Sequence, residues 1–267
     1  MLLAFPLVLI AYHGLPIPLA ADAAVPRGFV VALVLLLLTR ALLRREGRRL
    51  SEFGLSVSAR AGKLLAGGLL AGALLFATAA VLLRIALPFE WELNPTMAPM
   101  AIFGALIFHL VTNACEELAF RGYAFDSLLD TLGHWPAQGI IALAAAAFHL
   151  LSGWTWQVAL VSTTAGSLLF GLTFLRWRSI PAAIGVHAAW NWTRDLILTA
   201  SGSASVLEPF GTEGWSAAEW QVAQAILVGV TLAACAGLLW SLRKKEGTPA
   251  PPGFTGSLSS AGPHSVG

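Results

Sequence analysis

The chain has 267 residues, 57% of them hydrophobic and 11% charged, with a net charge of +2. A soluble domain carries about 25% charged residues, so a soluble enzyme and a disordered regulator are excluded. A disulfide scaffold is excluded too, because only Cys115 and Cys235 are present and both lie in apolar stretches. The basic residues cluster in short connections, which leaves no surface for nucleic acid. What remains is an all-α protein, a polytopic transmembrane helical bundle, whose backbone groups are satisfied within the helices.

A helix needs about 20 mostly apolar residues to cross the hydrocarbon layer. Eight segments are candidates, two of them shorter than this: roughly 2–21, 28–43, 64–87, 98–120, 136–151, 157–175, 180–199 and 219–242. The first contains Pro6, Pro16 and Pro18 and reads as a retained, kinked helix. A signal peptide ending near Ala21–Ala24 is the less favoured reading, because the segment lacks a basic leading region. In the third, Gly68 and Gly72 have the spacing of small residues at a close helix contact. The last segment is followed by a stretch rich in Gly, Pro and Ser, 247–267, which reads as a disordered tail. The chain thus divides into N-terminal membrane helices (1–96), a polar core (97–199), an outer loop with the last helix (200–246) and the tail.

Charge sets the orientation. Arg40, Arg44, Arg45, Arg48, Arg49, Arg60 and Lys63 share one connection, Arg176 and Arg178 another, and Arg243, Lys244 and Lys245 follow the last segment. Eight alternating spans place all of these on one side, while the opposite connections contribute Arg27. Both termini are then cytoplasmic, in a multi-pass protein of a bacterial inner membrane.

Ionisable groups inside a membrane cost about 2.5–3.5 kcal/mol each on insertion scales, so their concentration in three segments is informative. One segment ends Asn113-Ala-Cys-Glu116-Glu117-Leu-Ala-Phe-Arg121-Gly122; another carries His149; a third reads His187-Ala-Ala-Trp-Asn191-Trp-Thr-Arg194-Asp195. Glu117 and Arg121, four apart, share a helix face and suit an ion pair. Glu116 points about 100° away, free to face a cavity. His187 and Asn191 also share a face. A watered pocket lined by Glu116, His149, His187 and Asn191 would supply a general base together with an oxyanion or metal-ligand set. His109-x-x-x-Asn113 repeats the spacing, but His109 stands about 10.5 Å up the helix from Glu116 and reads as structural or as lining the outer cavity.

In that order, Glu116-Glu117-x-x-x-Arg121-Gly122, His149 and His187-x-x-x-Asn191 resemble the motifs of the CPBP family of intramembrane proteases, which includes CAAX prenyl endopeptidases and bacterial self-immunity proteins. Phe170-Gly-Leu and Arg178-Ser-Ile-Pro181 resemble the stretch that precedes the last motif. The likeness covers roughly residues 97–199. Where the family usually has Phe, four residues before the second-motif histidine, this chain has Ala145, with Phe148 beside His149 instead. The resemblance implies that Glu116 activates water with His149 as partner, and that His187 and Asn191 bind a metal or stabilise the oxyanion. Glu117 and Arg121 would be the supporting pair. It leaves a metal-free and a zinc-assisted course both open; Zn2+, where used, would fall to Glu116, His149 and His187. The partners implied are the bilayer and a membrane-associated protein or peptide substrate.

Straight spans counted at about 1.5 Å per residue set His149 nearer the outer side than Glu116 and His187. The fifth helix must start deeper or tilt, or the segment Ala124–Trp135 must fold back. Two other classes of function use the same polar residues: a proton- or ion-coupled carrier, and a membrane adaptor without chemistry.

Overall fold

The computed structural model describes residue 8, residues 24–199 and residues 202–246. The first predicted segment, apart from Val8, and the tail lie outside the described residues. The helices are α1 (Ala24–Arg45), α2 (Ala59–Ala86), α3 (Pro99–Arg121), α4 (Tyr123–Leu132), α5 (His134–Leu151), α6 (Thr163–Trp177, entered through a π turn at Val158–Ser162), α7 (Ile180–Ile197) and α8 (Ala217–Glu246). Two short strands, β1 (Glu90–Leu93) and β2 (Leu207–Phe210), pair antiparallel with Glu90 opposite Phe210.

The architecture is the expected all-α polytopic bundle. Among the described residues, five stretches are long and apolar enough to cross a membrane: Ala24–Arg45, Ala59–Ala86, Pro99–Leu132, Val158–Trp177 and Ala217–Lys244. Length and composition do not confirm the count of eight, whose first member lies outside the described residues. Of the other predicted spans, α5 and α7 are helices of 18 residues, and they carry His149, His187 and Asn191, which lowers their hydropathy. On α1, Phe29, Leu33 and Leu37 are 58%, 54% and 52% exposed. Spaced four apart, they form one apolar stripe on the outside of the bundle, which suits lipid and not water.

Lipid tails are as apolar as leucine, so burying leucine against leucine gains little there, and helices associate through close packing of small residues. That is how α2 meets α7. A Cβ on Gly68 would stand 2.4 Å from the carbonyl oxygen of Ala182, and one on Gly72 2.2 Å from that of Val186. From the other side, a Cβ on Gly185 would stand 2.4 Å from the carbonyl oxygen of Leu65. Backbone lies directly on backbone, which fixes the height of α7.

Turns at the basic end hold the site helices in place. Ser179 caps α7, its hydroxyl accepting from the Ala182 amide at 3.4 Å, and Pro181 sits in the first turn. Arg178 just before it adopts a left-handed conformation (φ 48°) that reverses the chain between α6 and α7. Its guanidinium donates to Asp126 of α4 at 2.6 Å, and Arg48, from the connection after α1, donates to the other oxygen of Asp126 at 2.6 Å. Asp126 is buried and thus ties three separate connections together. Asp126→Ala is expected to cost about 1.5–3 kcal/mol, the range for a charged hydrogen-bond partner. The cost stays in that range because both arginines reach solvent once released. A lowered thermal midpoint in detergent would show it; an unchanged midpoint would mean that the three connections are held by other contacts.

Candidate active site

At the end of α3 the helix breaks at Gly122, whose ψ is −139°, and a Cβ there would stand 2.2 Å from the carbonyl oxygen of Leu118. The break leaves Arg121 as the last residue of α3. Its guanidinium, 2% exposed, donates to Glu117 at 3.3 Å and to the carbonyl and hydroxyl of Ser167 on α6 at 2.9 and 2.6 Å. The rings of Phe120 and Phe170 flank it, with centroids 5.8 and 5.5 Å away. The Glu117–Arg121 pair anticipated from the four-residue spacing is present, fully enclosed.

Glu117 has a second partner that spacing on one helix does not reveal. Its Oε1 accepts from Nδ1 of His187 at 2.9 Å, and its side chain is 0% exposed. The next turn of each helix repeats the arrangement: Asn191 donates from Nδ2 to Oδ1 of Asn113 at 3.0 Å. One turn further, His109 Nε2 meets Asp195 Oδ2 at 2.8 Å, and Asp195 also accepts from Arg194. Each four-residue step forward on α7 matches a four-residue step back on α3. The helices therefore run antiparallel, joined by three polar rungs about 6 Å apart by helical rise.

These rungs form one wall of a cavity of about 940 Å³, lined among others by Glu116, His149, His187, Asn191, Asn113 and His109. Glu117 lies behind that wall. Glu116 lines the cavity and makes no hydrogen bond or ion pair among the described residues. His149 donates from Nδ1 to the carbonyl of Ala145 at 2.8 Å. A carbonyl only accepts, so this bond sets the tautomer and leaves Nε2 of a neutral ring with a free lone pair. The Glu117 carboxylate does the same for His187, whose ring stacks on Phe170 at 4.1 Å and 19°.

The structure brings the four predicted cavity residues to one space, so the depth conflict is resolved by the path of α5. Phe148 packs edge-on against Phe120 with centroids 6.0 Å apart. Helix α5 thus reaches the level of the last turn of α3 at its own C-terminal end. The interposed α4, which packs on α5, leads the chain away before α5 returns. Trp154 stands edge-on to His149 at 4.6 Å and lines the cavity. Ser167, Phe170, Asn113 and the contact of Asp195 with His109 were not identified as parts of the site from sequence. Among the described residues, no group of three or more His, Cys, Asp or Glu is placed to hold a metal ion. The suggested set of Glu116, His149 and His187 is not gathered as a ligand shell among the described residues.

Residues 98–193, the segment that supplies α3 to α7 of this site, match a family profile described as "Rce1-like: Type II CAAX prenyl endopeptidase Rce1-like". This supports the resemblance to the CPBP membrane proteases: over that segment the chain is similar to Type II CAAX prenyl endopeptidases. Comparison with curated proteins gives no significant match, and comparison with solved structures gives none either.

Proposed function

We propose that the chain is an intramembrane endopeptidase that hydrolyses a peptide bond near the end of a membrane-associated protein or peptide. The observation that carries this reading is an unpaired carboxylate, Glu116, lining a large cavity together with His149, His187 and Asn191. In lipid, an ionisable side chain without a protein partner implies water, and water beside a carboxylate has a base at hand.

Glu116 takes a proton from that water while Nε2 of His149 accepts its second hydrogen bond, and the hydroxide so formed attacks the peptide carbonyl. The developing oxyanion receives a hydrogen bond from the Asn191 amide. The His187 ring, fixed through Nδ1 by Glu117, donates to the same oxygen when Nε2 carries a proton. Collapse of the tetrahedral intermediate expels the amine, which takes the proton held by Glu116. Enclosing these groups in protein strengthens their action on the transition state. We place this site in residues 97–199, in a bacterial inner membrane with the C-terminus cytoplasmic.

The test is a mass-spectrometric comparison of protein termini in membranes from cells with and without the chain. A set of membrane proteins or peptides that gains shortened ends only when the chain is present is the expected result. Identical termini under conditions where the chain alters a cellular phenotype would overturn the protease reading in favour of a carrier.

A further inference from the structure

We propose that Asn113 is a positioning residue that keeps one N–H of Asn191 aimed into the cavity; the proposal deepens the protease reading and rests on it for its kinetic consequence. Asn113 is buried and lies on the middle rung between α3 and α7. Its Nδ2 donates to the backbone carbonyl of His109 at 2.7 Å. That carbonyl only accepts, so the amide of Asn113 has one orientation, with Oδ1 directed across to α7.

Oδ1 in turn only accepts, so it must meet the nitrogen of Asn191 and not the oxygen, at the observed 3.0 Å. The orientation of one amide therefore dictates that of the next. An Asn191 amide held this way has one N–H committed to Asn113 and a second N–H left for the cavity it lines. Flipped, it would present its oxygen to a developing oxyanion and oppose the reaction. A backbone carbonyl on α3 thus determines, through two side chains, which end of a carboxamide on α7 the substrate meets. The outer rung supports the same chain, because the His109 ring is itself held by Asp195.

The test combines kinetics with a readout that needs no substrate. With the substrate identified by the terminus comparison, Asn113→Leu is expected to lower kcat, by up to about 100-fold for a misplaced active-site group, with KM little changed. In an Asn191→Ala background the same substitution is expected to cause no further loss. Asn113→Ala serves as the second variant should leucine prevent folding. In 15N side-chain amide spectra of the protein in detergent, the Asn191 N–H bonded to Asn113 is expected to be shifted downfield in the wild type and to move toward the position of a free carboxamide in the Asn113 variants. Losses that multiply in the double variant, or Asn191 resonances that do not change, would overturn the proposal. If the wild-type protein cleaves nothing, the protease reading falls, and the amide coupling is decided by the spectra alone.

Discussion

Glu116→Gln is expected to abolish cleavage while the protein accumulates and folds normally, whereas Glu117→Leu is expected to remove the protein itself. The two carboxylates are neighbours in sequence but differ in surroundings. Glu116 lines the cavity without a protein partner, so exchanging one carboxylate oxygen for an amide nitrogen breaks no internal bond. It removes the base, and general-base contributions are about 10²–10⁴-fold. Glu117 is sealed against Arg121 and His187. Taking away one partner of a buried ion pair costs about 3–5 kcal/mol, because the other charge is left without compensation. Arg121, 2% exposed and already carrying an Nε without a partner, cannot reach water to recover it. Replacing both residues, as Glu117→Leu with Arg121→Met, is expected to restore most of the lost stability but no activity, since His187 still lacks its acceptor. Thermal midpoints and membrane abundance measure the first effect, and turnover the second. Normal abundance and complete inactivity in both single variants would contradict this division of roles.

Gly72→Ala is the second large effect expected, and it lies outside the site. The added methyl would stand 2.2 Å from the Val186 carbonyl oxygen, so α7 must move away from α2. Overpacking of this kind costs about 1–3 kcal/mol. Val186 precedes His187, so the shift reaches the imidazole, where a displacement of about 1 Å can cost about 100-fold in rate. Gly67 provides the control: nothing lies within 4 Å of its Cβ direction, and Gly67→Ala is expected to be neutral or stabilising by up to about 1 kcal/mol. Equal behaviour of the two variants in thermal stability and turnover would mean that the α2–α7 contact does not set the position of His187.

Features that depend on one helix were legible in the sequence. The four-residue spacing anticipated the contact of Glu117 with Arg121, and the Gly68–Gly72 spacing anticipated a close helix crossing without naming α7 as its partner. Features that depend on how two helices align were not legible. Periodicity gives the faces of α3 and α7 but not their relative height, so nothing in the chain indicated that Glu117 would meet His187 or that His109 would meet Asp195. Ser167 looks like any serine in an apolar helix until Arg121 is placed against it. Two of the eight predicted spans, α5 and α7, are not recognised as spans by length and composition for a related reason. Helices α5 and α7 carry the polar groups of the cavity, so the features that make them informative also make them poor membrane spans.

The three rungs between α3 and α7 have a consequence for how this protein could move. Sliding α7 by one turn toward its own C-terminal end would bring His187 opposite Asn113 and Asn191 opposite His109. Glu117 and Asp195 would then have no counterpart across the interface, with Arg121 still held by Ser167. Sliding it the opposite way would strand His109 and His187 instead. Every intermediate displacement breaks three polar contacts together, and Glu117, which is 0% exposed, cannot recover its share from the water of the cavity. The pair therefore behaves as a ratchet with a single tooth engaged, and any opening of the cavity has to come from elements other than these two, such as the π turn before α6 or the start of α8.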